Sequence, residues 1–478
     1  MNAVEARGVV MVGITGTALD PQLPRFGGYL LFPGDDAPLQ RVRALTDSLR
    51  SRHDDGQPLI AIDQEGGAVE RLRNGVEPMP PMMALGAADD IELTRRAGEQ
   101  TAFDLRRAGC TLDFAPVLDL ALDPANVVIG TRSFGSNPQR VAALGAVFAD
   151  GLRSGGILPC YKHFPGHGST AVDSHLALPI VETDEATLRA RDLAPFAAVA
   201  RDAPAFMSAH VVIRVFDPKR PATLSPRIAR DLLRDELRFG GALITDCLEM
   251  KAVGERDSVE SAVEALVAGA DLVLFSHDLD LANAACAAIE ARVPRQRLDE
   301  AYARVLRLRQ SGAAPLPLDT FAPHPGIGRE IARRAVTLLR GVPHADPLAS
   351  VAVSFGPPSK LEHEAPALEA ISVSLDPQAH EIRTLLEVLD VRQRRPLLLS
   401  RRAHLHPAQA QAVAQIVERY PDALVASLLE PFDVPLFGNA RHLLAAYGDD
   451  QASIGGLADV LFGGSMPTGN LPVEGRRT

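Results

Sequence analysis

Two groups of residues in this chain have the types and spacing that acid–base and nucleophilic chemistry needs. Asp246 closes the strand-like run GGALITD, which would hold a carboxylate at the end of a rigid element. The segment YKHFPGHGSTAVDSHLALP, starting at Tyr161, packs three histidines, one lysine and an Asp-Ser-His triplet into a stretch broken by Gly and Pro. Asp173 and His175 stand two residues apart there, so in an extended loop both side chains turn to the same side. A carboxylate on one ring nitrogen fixes the tautomer and favours the protonated imidazole, as general acid work requires. A carboxylate nucleophile with a proton donor across the bond is what a retaining glycosidase uses, although its usual donor is a second carboxylate.

Other chemistries fit these residues less well. His163, His167 and His175 could offer imidazoles to a metal, but none has the i, i+4 spacing of HExxH, and Lys162 would set a cation beside a cation. No metal or organic cofactor is therefore expected. Asp119, Asp184 and His210, each taken singly, are as well explained by turn capping or by a hydrogen-bonded core imidazole.

The elements that must position these groups are legible as eight β-rich runs alternating with amphipathic stretches. They are VVMVGITG from Val9, GGYLLFP from Gly27, PLIAIDQEGG from Pro58, CTLDFAPVLDL from Cys110, ILPCYKHFPG from Ile157, AFMSAHVV from Ala205, GALITDCLEM from Gly241 and DLVLFS from Asp271. Eight such units predict a (β/α)8 TIM barrel. The helical intervals carry caps: Asp90 and Gly109 bracket one, and Ser225, Pro226 and a stop at Gly240 define another. Little room exists for a crossover helix between the first two strands. Asp63, Asp119, Lys162, His163, His210 and Asp246 all fall at carboxyl ends of the third to seventh strands, where a barrel builds its active site.

Beyond residue 311 the segment 312–325 is rich in Pro and Gly and lacks periodicity, as an interdomain linker does. The helix GREIARRAVTLLRG and the runs SVAVSF, AISVSL, PLLLS, ALVASLL and HLLAAYG then predict a smaller C-terminal α/β domain over 326–478, leaving 1–311 to the barrel. A formal charge of −11, from 49 basic and 60 acidic residues, argues against a nucleic-acid partner. The N-terminus has neither a basic region nor an apolar stretch of signal-peptide type, and no run approaches a membrane span, so no membrane partner and a cytoplasmic location are expected. Four scattered cysteines without CxxC spacing read as buried thiols of a reducing compartment. With no Trp and five Tyr, a sugar substrate would meet a small pocket rather than a long aromatic groove.

The motifs IDQEGG from Ile62, GTRSFG from Gly130, KHFPGHG with its DSH from Lys162 to His175, and ITDCLEM from Ile244 resemble the N-acetylglucosaminidase branch of the family 3 glycoside hydrolases. The resemblance implies Asp246 as nucleophile, His175 as general acid/base and Asp173 as the group that tunes it. It implies further that Asp63, Arg71, Arg132, Lys162 and His163 hold the non-reducing sugar. The loop bearing His175 would be mobile, with Gly166 and Gly168 making it permissive. LLEPFDVPLF from Leu428 and LADVLFGGSMPTGNLPV from Leu457 resemble the family's C-terminal α/β sandwich, for which a packing or substrate-shaping role is expected. Two departures stand out: Ala68 where the family carries Arg, and Cys247 where the residue after the nucleophile is usually acidic.

The implied activity is exo-hydrolysis of terminal β-linked N-acetylglucosamine from small glycans, with muropeptide recycling as the implied setting. A glycoside phosphorylase using the same covalent intermediate is the close alternative, since a histidine donor repels phosphate less than a carboxylate does. An inactive sugar-binding barrel is the alternative of another class, and a β-glucosidase would leave the histidine loop unexplained. The oligomeric state is not legible.

Overall fold

Eight parallel strands close into a barrel in the computed structural model, which describes residues 5–53, 57–170, 178–250 and 257–474. They are β1 (Val10–Thr15), β2 (Gly28–Phe32), β3 (Leu59–Ile62), β4 (Leu112–Asp113), β5 (Leu158–Phe164), β6 (Ala205–Ser208), β7 (Ala242–Cys247) and β8 (Leu272–Phe275), each beside its sequence neighbour, with β8 closing on β1. Runs such as LIAI in β3 and LVLF in β8 are buried throughout, because one face meets the barrel interior and the other the helices. Met11, Leu30, Leu59, Leu112, Cys160, Met207, Ile244 and Leu274 belong to the interior cluster, joined by Val305 and Leu308 from the helix Arg295–Gln310. The barrel is therefore packed solid beneath its mouth.

The helices follow their periodicity. In Leu39–Ser51 the buried Leu39, Val42, Leu45 and Leu49 form one apolar stripe. The helix Ile91–Ala108 starts where Asp90 accepts from Leu93 N and ends at Gly109, whose φ is +83°. Between β1 and β2 the chain makes no helix over 16–27, yet the two strands pair in parallel from Met11↔Gly28 to Thr15↔Phe32. The expected stop at Gly240 is wrong in detail. The helix Arg227–Glu236 closes with π-type bonding, Leu237 N to Leu232 O at 2.9 Å, and the left-handed turn falls on Arg238 at φ +60°.

After the barrel, 312–325 carries no helix or strand and lies fastened along the helix Ile91–Ala108. Arg106 donates to Ala314 O, Arg107 to Leu318 O at 3.1 Å, and Arg43 to Leu316 O at 2.6 Å. A six-stranded sheet follows: β9 (Thr337–Arg340), β10 (Ser350–Phe355), β11 (Glu369–Val373), β12 (Arg395–Ser400), β13 (Leu424–Ser427) and β14 (His442–Ala445), in the order β9-β14-β13-β12-β10-β11. Apolar clusters cover both faces, one around Leu397, Leu424 and Leu457, the other around Val353, Leu398 and Ile416. The single helix read over GREIARRAVTLLRG splits in two: it stops at Ala335, and β9 runs antiparallel to β14. The β-branched Val336 and Thr337 favour the strand where periodicity alone continued the helix.

Two carboxyls near the junction of barrel and sheet domain sit in environments that disfavour their charge. Burial pushes Glu70 up to about 7 even though its carboxylate accepts from Met79 N, and it pushes Asp104 up to about 6. A raised carboxyl contributes stability that is complete below its ordinary value and lost as pH rises through the folded value. Wild-type protein should thus lose stability between about pH 4.5 and 7. Glu70→Gln should blunt that loss by about 1–3 kcal/mol, as read from urea denaturation at pH 4.5 and pH 8.

Candidate active site

The carboxyl ends of the barrel strands open into one cavity of about 480 Å³. That is the small end of the range for ligand sites, roughly 300–1,000 Å³. Asp63, Arg71, Arg132, Lys162, His163 and Asp246 all line it, together with Glu65, His167, Cys247 and an apolar wall of Leu30, Phe32, Phe114, Met207 and Leu274. Strict alternation along a strand would send adjacent residues to opposite faces. The register of β5 against β6 shifts between Tyr161 and Phe164, and that of β7 against β8 shifts between Ile244 and Cys247. These irregularities let Lys162 with His163, and Asp246 with Cys247, face the same space.

The charges are arranged around Glu65, whose side chain is 1% exposed. Arg132 grips it with two bonds, Nε to Oε2 at 2.7 Å and Nη2 to Oε1 at 2.8 Å, while Lys162 Nζ reaches Oε1 at 2.5 Å and Asp63 Oδ1 at 2.7 Å. Burial would raise Glu65, but Arg132 and Lys162 outweigh it and hold the carboxyl at about 2. The same network raises Lys162 above its ordinary value, so the ammonium keeps its charge though buried. Asp113 lies fully buried and accepts from Gln64 N at 3.0 Å; burial drives it well above its ordinary carboxylate value, against the pull of Lys162.

A second carboxylate organises the histidines. Asp119 accepts from His163 N at 3.0 Å, from His163 Nδ1 at 2.7 Å and from His167 N at 2.6 Å. Burial acts to raise it, and His163 and His167 bring it below its ordinary value. Asp246 behaves likewise: burial opposes its charge, while His210, His163, the Cys247 N–H and Lys162 favour it, and the balance leaves it below the usual carboxylate range. It is a half-buried carboxylate facing the cavity, held in its charged form by these neighbours.

Of the positions weighed singly, Asp119 and His210 support the site from beneath, and Asp184 is an N-cap accepting from Thr187 N. His210 bridges Thr223 Oγ1 at 2.8 Å and the Cys247 carbonyl at 2.9 Å, which fixes the end of β7. Arg71 sits at the rim with its guanidinium 5.4 Å from the centre of the Phe32 ring. His175 and Asp173 lie outside the described residues. Gly166 has φ +128°, which suits its freedom, but a Cβ on Gly168 would come 2.2 Å from Leu120 O. Close packing, not permissiveness, explains that second glycine.

Sequence reasoning passed over Glu65, which was visible only as one letter of IDQEGG, although an acid two residues from Asp63 is a signal in itself. The packing role expected of the sheet domain takes the form of contacts with the loop that carries Arg132, which sequence reasoning did not locate. Glu430, paired twice with Arg402 at 2.8 Å, presses on Gly130, where a Cβ would lie 2.0 Å from Glu430 Oε1. His404 Nε2 meets Pro124 O at 3.0 Å, and Ser136 N donates to Pro472 O. The loop 121–136 that carries Arg132 is thus held by contacts from beyond residue 400, Glu474 N donating to Ser136 Oγ among them. Among the described residues no cluster of three or more potential metal ligands occurs. All four cysteines are free, and burial pushes Cys247 up to about 12, so its thiol is neutral at the wall.

Breaking the Glu65 pairs should be costly. Glu65→Gln leaves the buried Lys162 and the half-buried Arg132 short of counter-charge and should lower stability by about 3–5 kcal/mol, as measured by denaturant unfolding. Arg292→Ala, which removes an exposed pair with Glu260, should leave the unfolding curve where it was.

Comparison with known proteins agrees with this arrangement. Residues 22–308 match the glycosyl hydrolase family 3 N terminal domain. A β-hexosaminidase of Pseudomonas aeruginosa is 37% identical over 292 residues, 59% of this chain and 87% of that protein. The solved glycoside hydrolase family 3 β-N-acetylglucosaminidase from Paenibacillus sp. str. FPU-7 superimposes with a TM-score of 0.89 at 33% identity, covering 98% of both chains. NagZ from Neisseria gonorrhoeae, solved with N-trifluoroacetyl-D-glucosamine, matches 65% of this chain and 95% of its own at 32% identity and a TM-score of 0.54. A barrel whose mouth gathers the motif residues, matched over more than half its length, places this chain in glycosyl hydrolase family 3.

Proposed function

We propose that the chain is a retaining exo-β-N-acetylglucosaminidase that releases terminal β-linked N-acetylglucosamine from small glycans. The observation that carries this reading is the ionised Asp246 on the wall of a small cavity whose other polar groups suit a ring of hydroxyls. The relatives named above as β-hexosaminidase and β-N-acetylglucosaminidase support the choice of sugar.

In this mechanism Asp246 attacks the anomeric carbon and forms a glycosyl ester, and water then releases the sugar with its configuration retained. His175, oriented by Asp173, protonates the departing oxygen and afterwards draws a proton from water. Asp63, Lys162, His163 and Arg132 orient the hydroxyls, with Arg71 at the rim. Charged and bidentate partners suit this task, because the sugar must be held with its anomeric carbon in line with the nucleophile. A cavity of only about 480 Å³ favours removal of a terminal unit over cleavage within a chain.

We place the reaction in the recycling of cell-wall muropeptides in the cytoplasm. Among the described residues no helix is long and apolar enough to cross a membrane.

Release of p-nitrophenol from the β-N-acetylglucosaminide and the β-glucoside, with and without phosphate, tests the reading. A strong preference for the N-acetyl sugar is expected. Acceleration by phosphate would indicate a phosphorylase, and no turnover of either sugar would indicate a binding protein. Asp246→Ala should lose at least about 10³-fold in kcat, the scale on which removal of a covalent nucleophile acts, and azide should restore turnover. Because its neighbours hold Asp246 below its ordinary carboxylate value, the acid limb of kcat/KM due to this group should lie below that of an ordinary Asp, as a rate profile from pH 3 to 9 would show.

A further inference from the structure

The strand that carries Asp246 does not run straight to its end. Ile244 pairs with Leu272 of β8, and after a register shift Cys247 pairs with Leu274, so three steps along β7 match two along β8. An extra residue of this kind bends the strand and re-aims a side chain.

Two side chains hold the strand end where the shift interrupts the ladder. Before it, Leu274 N donates to Thr245 Oγ1 at 3.0 Å, a fully buried hydroxyl standing where a backbone carbonyl would otherwise accept. Leu274 O then accepts from Leu248 N at 3.0 Å, which leaves Asp246 and Cys247 between the two bonds. After the shift, Glu249 ties β7 to the turn that follows β8. Its carboxylate accepts from Ser276 N, from His277 N at 2.9 Å and from Asp278 N at 2.7 Å.

Cys247 links this anchor to the nucleophile. Its N–H donates to Asp246 Oδ1 at 2.7 Å, its carbonyl accepts from His210 Nε2 at 2.9 Å, and its thiol donates to Glu249 Oε2 at 3.3 Å. A neutral thiol can give that last bond, whereas an ionised acid at the same position could not. The direction of the Asp246 carboxylate is thereby set through residue 247, with no regular ladder beside it.

We propose that Thr245 and Glu249 are positioning residues of the nucleophile: the hydroxyl before the register shift and the carboxylate after it fix the irregular strand end that aims Asp246 at the anomeric carbon. Glu249 also lines the cavity, but its carboxylate is engaged by three backbone N–H groups and a thiol, so it acts through Asp246 and not on the sugar. This assignment rests on the retaining-glycosidase reading above.

The experiment measures two quantities on wild type, Thr245→Val, Thr245→Ser, Glu249→Ala and Glu249→Gln. One is the rate constant at which saturating 5-fluoro N-acetylglucosaminyl fluoride labels the protein; the other is the affinity for N-acetylglucosamine as a competitor of labelling. In labelling, a carboxylate oxygen of Asp246 bonds to the anomeric carbon as the C–F bond breaks, and fluoride leaves with the electron pair without prior protonation. Thr245→Val keeps the shape and loses the acceptor. It and Glu249→Ala should each slow labelling about tenfold to a hundredfold, the scale on which a small misplacement of a reacting group acts. N-acetylglucosamine should bind every variant within about twofold of wild type, because a change confined to the reacting step leaves ground-state binding alone. Thr245→Ser restores the hydroxyl and should label as wild type does, and Glu249→Gln should recover part of the loss through its amide oxygen. Unchanged labelling in Thr245→Val and Glu249→Ala, with only a lowered unfolding temperature, would overturn the proposal and leave both residues a purely structural role. A loss of labelling matched by an equal loss of N-acetylglucosamine binding would overturn it too. Wild-type protein that neither takes up label nor turns over p-nitrophenyl β-N-acetylglucosaminide would instead defeat the glycosidase reading itself.

Discussion

A single buried carboxylate, Glu65, holds the cationic half of the site in place. Two cations share it, Arg132 from a loop sixty-seven residues further on and Lys162 from β5. Each partner would be expensive to bury alone, and removing any one would strand the others. The arrangement fixes the distance between the third and fifth strands at the barrel mouth and sets the direction of both cations before a substrate arrives. Preorganised charge of this kind needs no rearrangement when charge develops on the substrate. Asp113, fully buried nearby without a cation of its own, shows the other side of the balance: burial pushes its carboxyl well above the ordinary value.

The same logic explains the sheet domain. Arg132 can serve Glu65 only if loop 121–136 is held, and that loop has no helix or strand beyond the short turn Gly130–Arg132. Glu430 against Gly130, His404 on Pro124 and the C-terminal segment at Pro472 supply what it lacks. The domain thus acts on the site by packing, through a glycine that leaves room for a carboxylate. Chemistry in the barrel is thereby coupled to the integrity of a sheet built from the last third of the chain.

Much of this was legible in the residues. Strands buried on both faces read as continuous apolar runs, so all eight barrel strands could be named, and polar residues ending the third to seventh runs marked the mouth: Asp63, Lys162, His163 and Asp246 meet in one cavity. What stayed hidden depends on contacts distant in sequence. Glu65 gains its meaning from Arg132, and Gly130 from Glu430, neither of which has a local signature. β9 was masked by a helical period that ran on past Ala335, and the turn at Arg238 by the expectation that glycine takes left-handed conformations. Asp173 and His175 were read from spacing and family resemblance, and they fall outside the described residues.

The proposed retaining mechanism requires that Asp246 become covalently attached to the sugar. The direct measurement is intact-mass spectrometry and peptide mapping of the protein treated with a 5-fluoro N-acetylglucosaminyl fluoride, whose ring fluorine slows both steps while its good leaving group lets the first proceed. The mechanism requires one added sugar per chain, located on the peptide containing Asp246 and absent in Asp246→Ala. A label on another residue, or steady release of the sugar with no adduct under conditions where the reagent is consumed, would contradict it.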